Sequence, residues 1–189
     1  VDFGIMYQSK IWMTEFDDYA DLFAEQGDMD IPPDLKIGLT FHANDKTALS
    51  FDIEHIWYSD VGSVGNPIAN LFRCPTAGRG GADLTSCLGG DNGGGFGWED
   101  MTVYKLGLRY IAGEDWTWRL GYSYGEQPIP NTEMSFNILA PGVMEHHFTA
   151  GFTLERTKGR QFNMALMYAP DVSVTGPQNF DPSQDVTFK

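Results

Sequence analysis

Residues 116–125 read Trp-Thr-Trp-Arg-Leu-Gly-Tyr-Ser-Tyr-Gly, and a large apolar side chain occupies every second position. Side chains of a β-strand alternate between the two faces of its sheet, so this period of two predicts a strand with one apolar face. The other face carries Gly, Ser and Thr with a single charge, Arg119. The stretch therefore predicts a strand whose second face differs from the densely charged surface of a soluble sheet.

The same alternation recurs in six further segments of the chain. These segments are Val1–Trp12, Leu35–Ala43, Leu49–Trp57, Thr102–Ile111, Phe148–Leu154 and Phe162–Ala169. Together with residues 116–125 they predict seven strands of roughly nine to twelve residues. Asp185–Lys189 is predicted to begin an eighth strand.

The connections between these segments alternate between short and long. Three are tight turns, at Asn44–Lys46, Gly113–Asp115 and Thr157–Gln161. The long ones are Glu15–Pro33, Ser59–Asp100, Glu126–Val143 and Asp171–Gln184. Short turns at one end and long loops at the other are typical of outer-membrane barrels and have no counterpart in a soluble sandwich. The predicted fold class is all-β: an antiparallel transmembrane β-barrel segment of about seven to eight strands with long outer loops.

Charge and hydropathy narrow the function classes further. The 12 Lys and Arg residues face 26 Asp and Glu residues, which gives a formal net charge of −14. Such a chain repels phosphate backbones, so we expect no nucleic-acid partner. No apolar run approaches the roughly 20 residues of a transmembrane helix. Aromatic residues gather near the predicted strand ends, where barrels carry interfacial girdles.

Several blocks, in order along nearly the whole chain, resemble the FadL/TodX family of outer-membrane long-chain fatty acid and hydrocarbon transporters. The blocks are Tyr7–Lys10, Asp17–Tyr19, Leu22–Phe23, Asp30–Pro32, Trp57–Val61, Gly97–Met101, Gly121–Tyr124, Gln127–Pro130, Asn137–Gly142 and Glu145–His147. The resemblance implies a fourteen-stranded barrel plugged by an N-terminal hatch. Residues 1–189 would form a single partial barrel domain, from the seventh strand to a truncated fourteenth, with the hatch and the first half of the barrel absent.

The resemblance also implies a function and a location. We expect passive transport of long-chain fatty acids or similar hydrophobic compounds across the outer membrane of a Gram-negative bacterium, with no catalysis and no cofactor. The partners would be the ligand, outer-membrane lipid and lipopolysaccharide, and the full-length protein would be monomeric. Alternatives are a channel for monoaromatic hydrocarbons or alkanes, an outer-membrane acyl hydrolase, and a structural or adhesive surface barrel.

A fatty-acid channel needs basic groups for the carboxylate. The face opposite the apolar side chains offers Lys36, Lys105, Arg109 and Arg119. The alternative is that these side chains pair with acids of the same face. Those acids are Asp52, Glu54, Glu145 and Glu155. Residues 89–99 contain no basic residue, although some family members present one to the ligand there.

Apolar side chains of the outer loops are candidates for first capture of the ligand. Asp17 and Asp18 are predicted to cap a short helix over Tyr19–Gln26 that Gly27 ends. The candidates are Tyr19, Leu22 and Phe23 in this loop and Phe136, Ile138 and Leu139 in a later one. The alternative is that they only pack against neighbouring loops.

The remaining groups that could carry chemistry have simpler interpretations. Residues 15–34 hold eight acids and no base, which allows a divalent-cation site but fits a solvated surface better, because no EF-hand spacing appears. Cys74 and Cys87 lack a CxxC motif or a neighbouring His, so we expect no zinc site. An oxidised bridge between them fits a surface-exposed protein assembled in the periplasm, and it would contribute about 3 kcal/mol. Alternation sends His146 and His147 to opposite faces, so they cannot share a metal. No Ser lies near these histidines in a nucleophile motif, so the sequence does not support a hydrolase.

Overall fold

The computed structural model describes residues 1–14, 16–157 and 159–189, without the side chains of Tyr19 and Thr157. One antiparallel sheet of seven strands dominates it, and each strand pairs with its neighbours in the sequence. The strands are β1 (Asp2–Gln8), β2 (Asp34–Asn44), β3 (Thr47–Ile56), β4 (Met101–Ala112), β5 (Trp116–Gly125), β6 (His146–Thr157) and β7 (Arg160–Tyr168). The seven strands predicted from alternation are confirmed.

The connections of the sheet follow the predicted alternation of length. Two residues join β2 to β3, and three join β4 to β5, where Gly113 adopts a φ of 77° that suits glycine. The connections at the opposite end span residues 9–33, 57–100 and 126–145. Glu15, in the first outer loop, and Lys158, in the third turn, lie outside the described residues.

Most of the large apolar side chains of the sheet lie on one face, where they remain uncovered. Leu106 on β4 is 54% exposed, and Leu120 on the adjacent strand β5 is 56% exposed. In a soluble sandwich such side chains would be buried against a second sheet. The described strands form a single layer on this face, as expected for a surface that contacts lipid.

Short helical turns shape the outer loops. Two four-residue α-helical turns span Ala24–Gly27 and Gly62–Gly65. The 3₁₀ turns of the described residues are Asp17–Tyr19, Tyr58–Asp60, Ile68–Arg73, Pro75–Ala77, Leu84–Ser86, Asn131–Glu133 and Phe136–Leu139. None of the helices in the described part of the chain is both long and apolar enough to cross a membrane.

The predicted helix over residues 19–26 is wrong. Glu25 and Gln26 have φ angles of 55° and 59°, which interrupt the four-residue turn that contains them. The backbone N–H groups of residues 24, 25 and 26 donate to the carbonyl oxygens of Gly94, Gly90 and Gly89 instead of to carbonyls one helical turn earlier. The helix does not form because the glycine-rich second loop supplies these partners. Gly27 does have a positive φ of 78° at the predicted end.

The predicted eighth strand forms, but it does not extend the barrel sheet. Strand β9 (Asp185–Phe188) pairs with β8 (Val174–Pro177) as a separate two-stranded sheet. The turn between them is held by Asp181, whose carboxylate accepts hydrogen bonds from the Ser183 N–H and hydroxyl. The hairpin packs beside a small buried cluster of Ile129, Met134 and Val143.

Candidate functional site

Two of the predicted capture residues, from different loops, meet in the structure. The Phe23 and Phe136 rings lie 5.5 Å apart between centroids. Phe96 lies 5.2 Å from Phe23 and 5.4 Å from Phe136. These three residues form the aromatic cluster, in which Phe96 is buried and the other two rings are half-buried. One side chain from each of the first three outer loops thus builds a single apolar feature.

Phe96 was missed by the sequence reasoning, although a signal for it existed. It is an aromatic residue set between Gly95 and Gly97 at the end of a glycine run. A lone large apolar side chain in such a run indicates that the backbone approaches another segment closely. The hydrogen bonds from residues 24–26 to the glycine carbonyls produce this approach and bring Phe23 to Phe96.

Three of the other predicted capture residues do not join the aromatic cluster. Leu22, Ile138 and Leu139 are exposed to solvent. The side chain of Tyr19 lies outside the described part of the chain. The structure therefore groups two of the five predicted capture residues whose side chains it describes.

Asn137 ties the second outer loop to the third beside the aromatic cluster. Its side chain is fully buried. Its Oδ1 accepts a 2.6 Å hydrogen bond from Trp98 Nε1, and its Nδ2 donates to the carbonyls of Phe96 at 2.6 Å and Glu133 at 2.8 Å. One amide thereby satisfies three polar groups from residues up to 41 positions away.

Glu133 makes a second connection between these loops. Its carboxylate accepts a 2.9 Å hydrogen bond from the Ile68 N–H, and the side chain is buried. Burial raises the pKa of Glu133, although hydrogen bonds from Ile68 and Thr132 favour the ionised form. The outer loops are thus held by buried polar contacts as well as by apolar packing.

One of the acidic residues of the first outer loop, Asp30, forms an ion pair with a lysine. Lys10 Nζ lies 3.0 Å from Asp30 Oδ2, and the Met13 N–H donates to Asp30 Oδ1 at 2.7 Å. These bonds outweigh burial and lower the pKa of Asp30. Burial, followed by the neighbouring Asp30, raises the pKa of Asp28 to about 6. Among the described residues, no group of three or more His, Cys, Asp and Glu side chains is placed to hold a metal ion.

The raised pKa of Asp28 makes the stability of the folded protein depend on pH. The folded protein binds this proton more tightly than the unfolded chain, whose Asp pKa is near 3.8. The resulting stabilisation is complete below that value and is lost as the pH rises through about 6. The folded arrangement around Asp28 is therefore expected to be more stable at mildly acidic pH than at pH values above about 6.

The four basic side chains predicted for the lumen fall into two groups. The first group is neutralised: Lys36 Nζ lies 2.9 Å from Glu54 Oε1, and Lys105 Nζ lies 2.5 Å from Glu54 Oε2. Lys36 also pairs with Asp34 at 3.2 Å. One glutamate thus binds both lysines across three strands.

The second group is the two arginines. Arg119 Nη1 donates a 2.8 Å hydrogen bond to the hydroxyl of Thr153, which itself donates to Asn163 Oδ1 at 2.6 Å. Arg109 is the cross-strand partner of Arg119. Neither arginine forms an ion pair with any residue that the structure describes.

The two adjacent histidines occupy opposite faces of β6, as predicted. His146 Nδ1 lies 2.9 Å from the hydroxyl of Tyr122, on the apolar face. His147 is the cross-strand partner of Ser123, on the polar face. The two rings therefore cannot share a ligand.

The predicted disulfide between Cys74 and Cys87 is confirmed. The Cα atoms lie 4.8 Å apart, and the bridge closes a loop of the second outer connection. Changing both cysteines to serine is expected to destabilise this loop by about 3 kcal/mol, because the open loop gains conformational entropy. Limited proteolysis of the complete protein should show faster cleavage near residues 74–87 in the double variant. Free thiols in exported wild-type protein, seen by non-reducing mass spectrometry, would contradict the bridge.

The sheet has a single layer, and one of its faces is apolar and uncovered. Tight turns lie at one end of the sheet and packed loops at the other. These features define a segment of an outer-membrane β-barrel. Residues 3–187 match the family described as outer membrane protein transport protein (OMPP1/FadL/TodX). The chain belongs to this family. The predicted resemblance, the fold class and the location in the outer membrane of a Gram-negative bacterium are confirmed.

Solved structures of similar fold come from the same family. The P. putida toluene transporter TodX is 19% identical, with a TM-score of 0.50 over 79% of this chain and 30% of that one. A TodX monoaromatic hydrocarbon channel with the deltaS2 mutation is 18% identical, with a TM-score of 0.51 over 78% of this chain and 31% of that one. This chain thus spans less than a third of the length of either structure. No curated protein matches the sequence.

Proposed function

We propose that the complete protein is a passive channel for hydrophobic compounds, with long-chain fatty acids as its cargo. Residues 1–189 contribute one partial barrel domain and three outer loops to it. The observation that carries the proposal is the aromatic cluster, because it is an apolar feature assembled from three loops above the barrel wall. Cargo moves down its concentration gradient, and no catalytic step or cofactor is involved.

The capture surface in this proposal consists of the aromatic cluster and the exposed apolar side chains near it in sequence. The half-buried rings of Phe23 and Phe136 offer surface on which an acyl chain packs, and the buried Phe96 ring supports both of them. Leu22, Ile138 and Leu139 add solvent-exposed apolar area, and Tyr19 remains a predicted contact. Transfer of apolar cargo from water to such a surface is favourable by about 0.8 kcal/mol for each buried methylene group.

The second candidate is a channel for monoaromatic hydrocarbons. Two observations support it: the similar structures are described as a toluene transporter and a monoaromatic hydrocarbon channel, and residues 89–99 present no basic residue to a carboxylate. A structural or adhesive surface barrel is the third candidate and requires no ligand path. In all three cases outer-membrane lipid and lipopolysaccharide surround the barrel, and the full-length protein acts as a monomer.

Uptake measurements separate these candidates. The full-length gene is expressed in a transporter-null host, and uptake of radiolabelled oleate and of radiolabelled toluene is compared with an empty vector. Faster oleate uptake supports the fatty-acid channel, and faster toluene uptake alone supports the hydrocarbon channel. Enhancement of neither compound contradicts both transport proposals.

The Phe23→Asp variant tests the capture surface. A carboxylate placed between the two remaining rings is poorly solvated and removes apolar area, so initial uptake is expected to fall about tenfold or more. The matched control is Leu84→Asp, which changes an exposed apolar residue of the second loop outside the aromatic cluster. Barrel yield in the membrane should be equal in both variants. Unchanged uptake in the Phe23 variant would remove this residue from the capture surface.

A further inference from the structure

Residues 23–30, the latch, dock the first outer loop onto the glycine-rich second loop. The backbone N–H groups of residues 24–26 donate to carbonyl oxygens of that loop at 3.0 to 3.2 Å. Phe23 directly precedes these hydrogen bonds, and its ring lies 5.2 Å from that of Phe96 and 5.5 Å from that of Phe136. Docking of the latch and assembly of the aromatic cluster are therefore linked through one short stretch of backbone.

The backbone of the latch is strained at the point where it docks. Glu25 and Gln26 have φ angles of 55° and 59°, a left-handed conformation that is uncommon for residues other than glycine. Such a conformation persists only where surrounding contacts hold it. The second loop supplies these contacts as well: the Gly62 N–H donates to the Glu25 carboxylate at 3.0 Å, and the Ser63 hydroxyl donates to the carbonyl oxygen of Asp28. The strain favours release of the latch when these contacts weaken.

Two carboxyl groups near the end of the latch, those of Asp28 and Asp30, lie within hydrogen-bonding reach of each other. The Asp30 side chain is 1% exposed, and Lys10 Nζ and the Met13 N–H each bind one of its oxygens. Asp28 Oδ1 is buried, and none of the described residues donates a hydrogen bond to it. A hydrogen bond between two carboxyl groups requires a proton on one of them, and the partners of Asp30 leave that proton to Asp28.

Loss of this proton places a second negative charge beside Asp30. The charged side chains that act most strongly on Asp28 are Asp30, Lys10 and Glu25, and one lysine does not balance three carboxylates. Lys10 Nζ also donates to the carbonyl oxygen of Asp60 in the second loop at 3.2 Å. Burial, followed by the contact with Asp30, raises the pKa of Asp28 to about 6, so the repulsion develops between mildly acidic and neutral pH.

We infer that the latch is a pH-sensitive strap, which holds Phe23 in the aromatic cluster while Asp28 is protonated and undocks when Asp28 and Asp30 are both ionised. In the proposed function, the capture surface is then complete in mildly acidic surroundings and loses Phe23 as the pH rises. Docking of the latch does not itself depend on the cargo of the channel, so it can be tested separately.

Amide hydrogen exchange of the full-length protein in lipid vesicles measures docking directly, because the N–H groups of residues 24–26 are protected by their bonds to the second loop. Protection is compared at about pH 5 and about pH 7.5, after correction for the intrinsic exchange rate. In the wild type it should be about tenfold lower at the higher pH, since undocking lets Asp28 ionise at its ordinary pKa.

Asp28→Asn is the test variant, because its amide donates to Asp30 as the protonated carboxyl group does but cannot ionise. Its protection should differ by less than about twofold between the two pH values. Asp21→Asn is the matched control, since Asp21 is an exposed acid of the same loop, and it should keep the tenfold change of the wild type. Equal protection of the wild type at both pH values, or an undiminished change in the Asp28 variant, would overturn the inference.

Uptake of oleyl alcohol, whose head group does not titrate, tests the consequence for capture. Wild-type uptake should fall over the same rise in pH, and uptake by the Asp28→Asn variant should stay constant. Constant wild-type uptake despite the change in protection would contradict the link between the latch and capture. A tenfold change in protection without any uptake would support the latch and contradict the proposed transport function.

Discussion

Leu166→Arg is expected to destabilise the complete barrel by up to about 4 kcal/mol, the cost of a guanidinium group on the lipid face at the bilayer midplane. Leu166 projects from β7 on the apolar face and is 64% exposed. In the membrane that exposed surface contacts hydrocarbon, where a guanidinium loses its hydration. Reversible urea unfolding of the full-length protein in lipid vesicles measures the change.

The neighbouring residue provides the control for this prediction. Met167 is 70% exposed, also apolar, and lies on the opposite face of the same strand. Met167→Arg places the same charge in the aqueous bore, so a change below about 1 kcal/mol is expected. Equal destabilisation by the two substitutions would contradict the assignment of the apolar face to lipid.

Asn137→Ala is expected to cost about 3 kcal/mol or more of outer-loop stability, because three buried polar groups lose their partner at once. These groups are Trp98 Nε1 and the carbonyl oxygens of Phe96 and Glu133. The loops should become accessible to protease at a lower temperature, while the barrel keeps its resistance to detergent. Proteolysis of the complete protein over a temperature series measures the shift.

Asn92→Ala is the matched control for this second prediction. Asn92 lies in the glycine-rich second outer loop, is exposed, and donates a side-chain hydrogen bond from Nδ2 to Thr85 Oγ1 at 2.9 Å. Its replacement should change loop stability by less than about 0.5 kcal/mol. Similar protease sensitivity in both alanine variants would show that Asn137 does not hold the loops together. Slower uptake in the Asn137 variant would link this contact to the aromatic cluster.

The barrel wall was predictable because its determinants are local. A strand needs only an alternating pattern, and a short turn needs only the right residues between two strands. The seven strands of the sheet and the two faces follow from these rules. The pairing of Cys74 with Cys87 could be predicted equally well, since the sequence contains only two cysteines.

The outer loops were predicted less well because their structure depends on partners distant in sequence. Residues 24–26 have acceptable helical composition, but their N–H groups bind carbonyls more than 60 residues later. Alternation predicts β9 as a strand, but its pairing with β8 depends on the turn that Asp181 holds. This turn is a local feature of the sequence, whereas the position of the hairpin beside the third outer loop is not.

For this protein, the sequence by itself determined the strands, their alternating faces, the order of short and long connections, and the membrane class. Only the tertiary structure decided that Phe23, Phe96 and Phe136 meet, that Glu54 binds two lysines, and that Arg109 faces Arg119 without an ion-pair partner among the described residues. The physical reason is the range of the interactions. Alternation and turns act between near neighbours in the chain, whereas ring contacts and charge pairing depend on the register and packing of segments that are far apart in sequence.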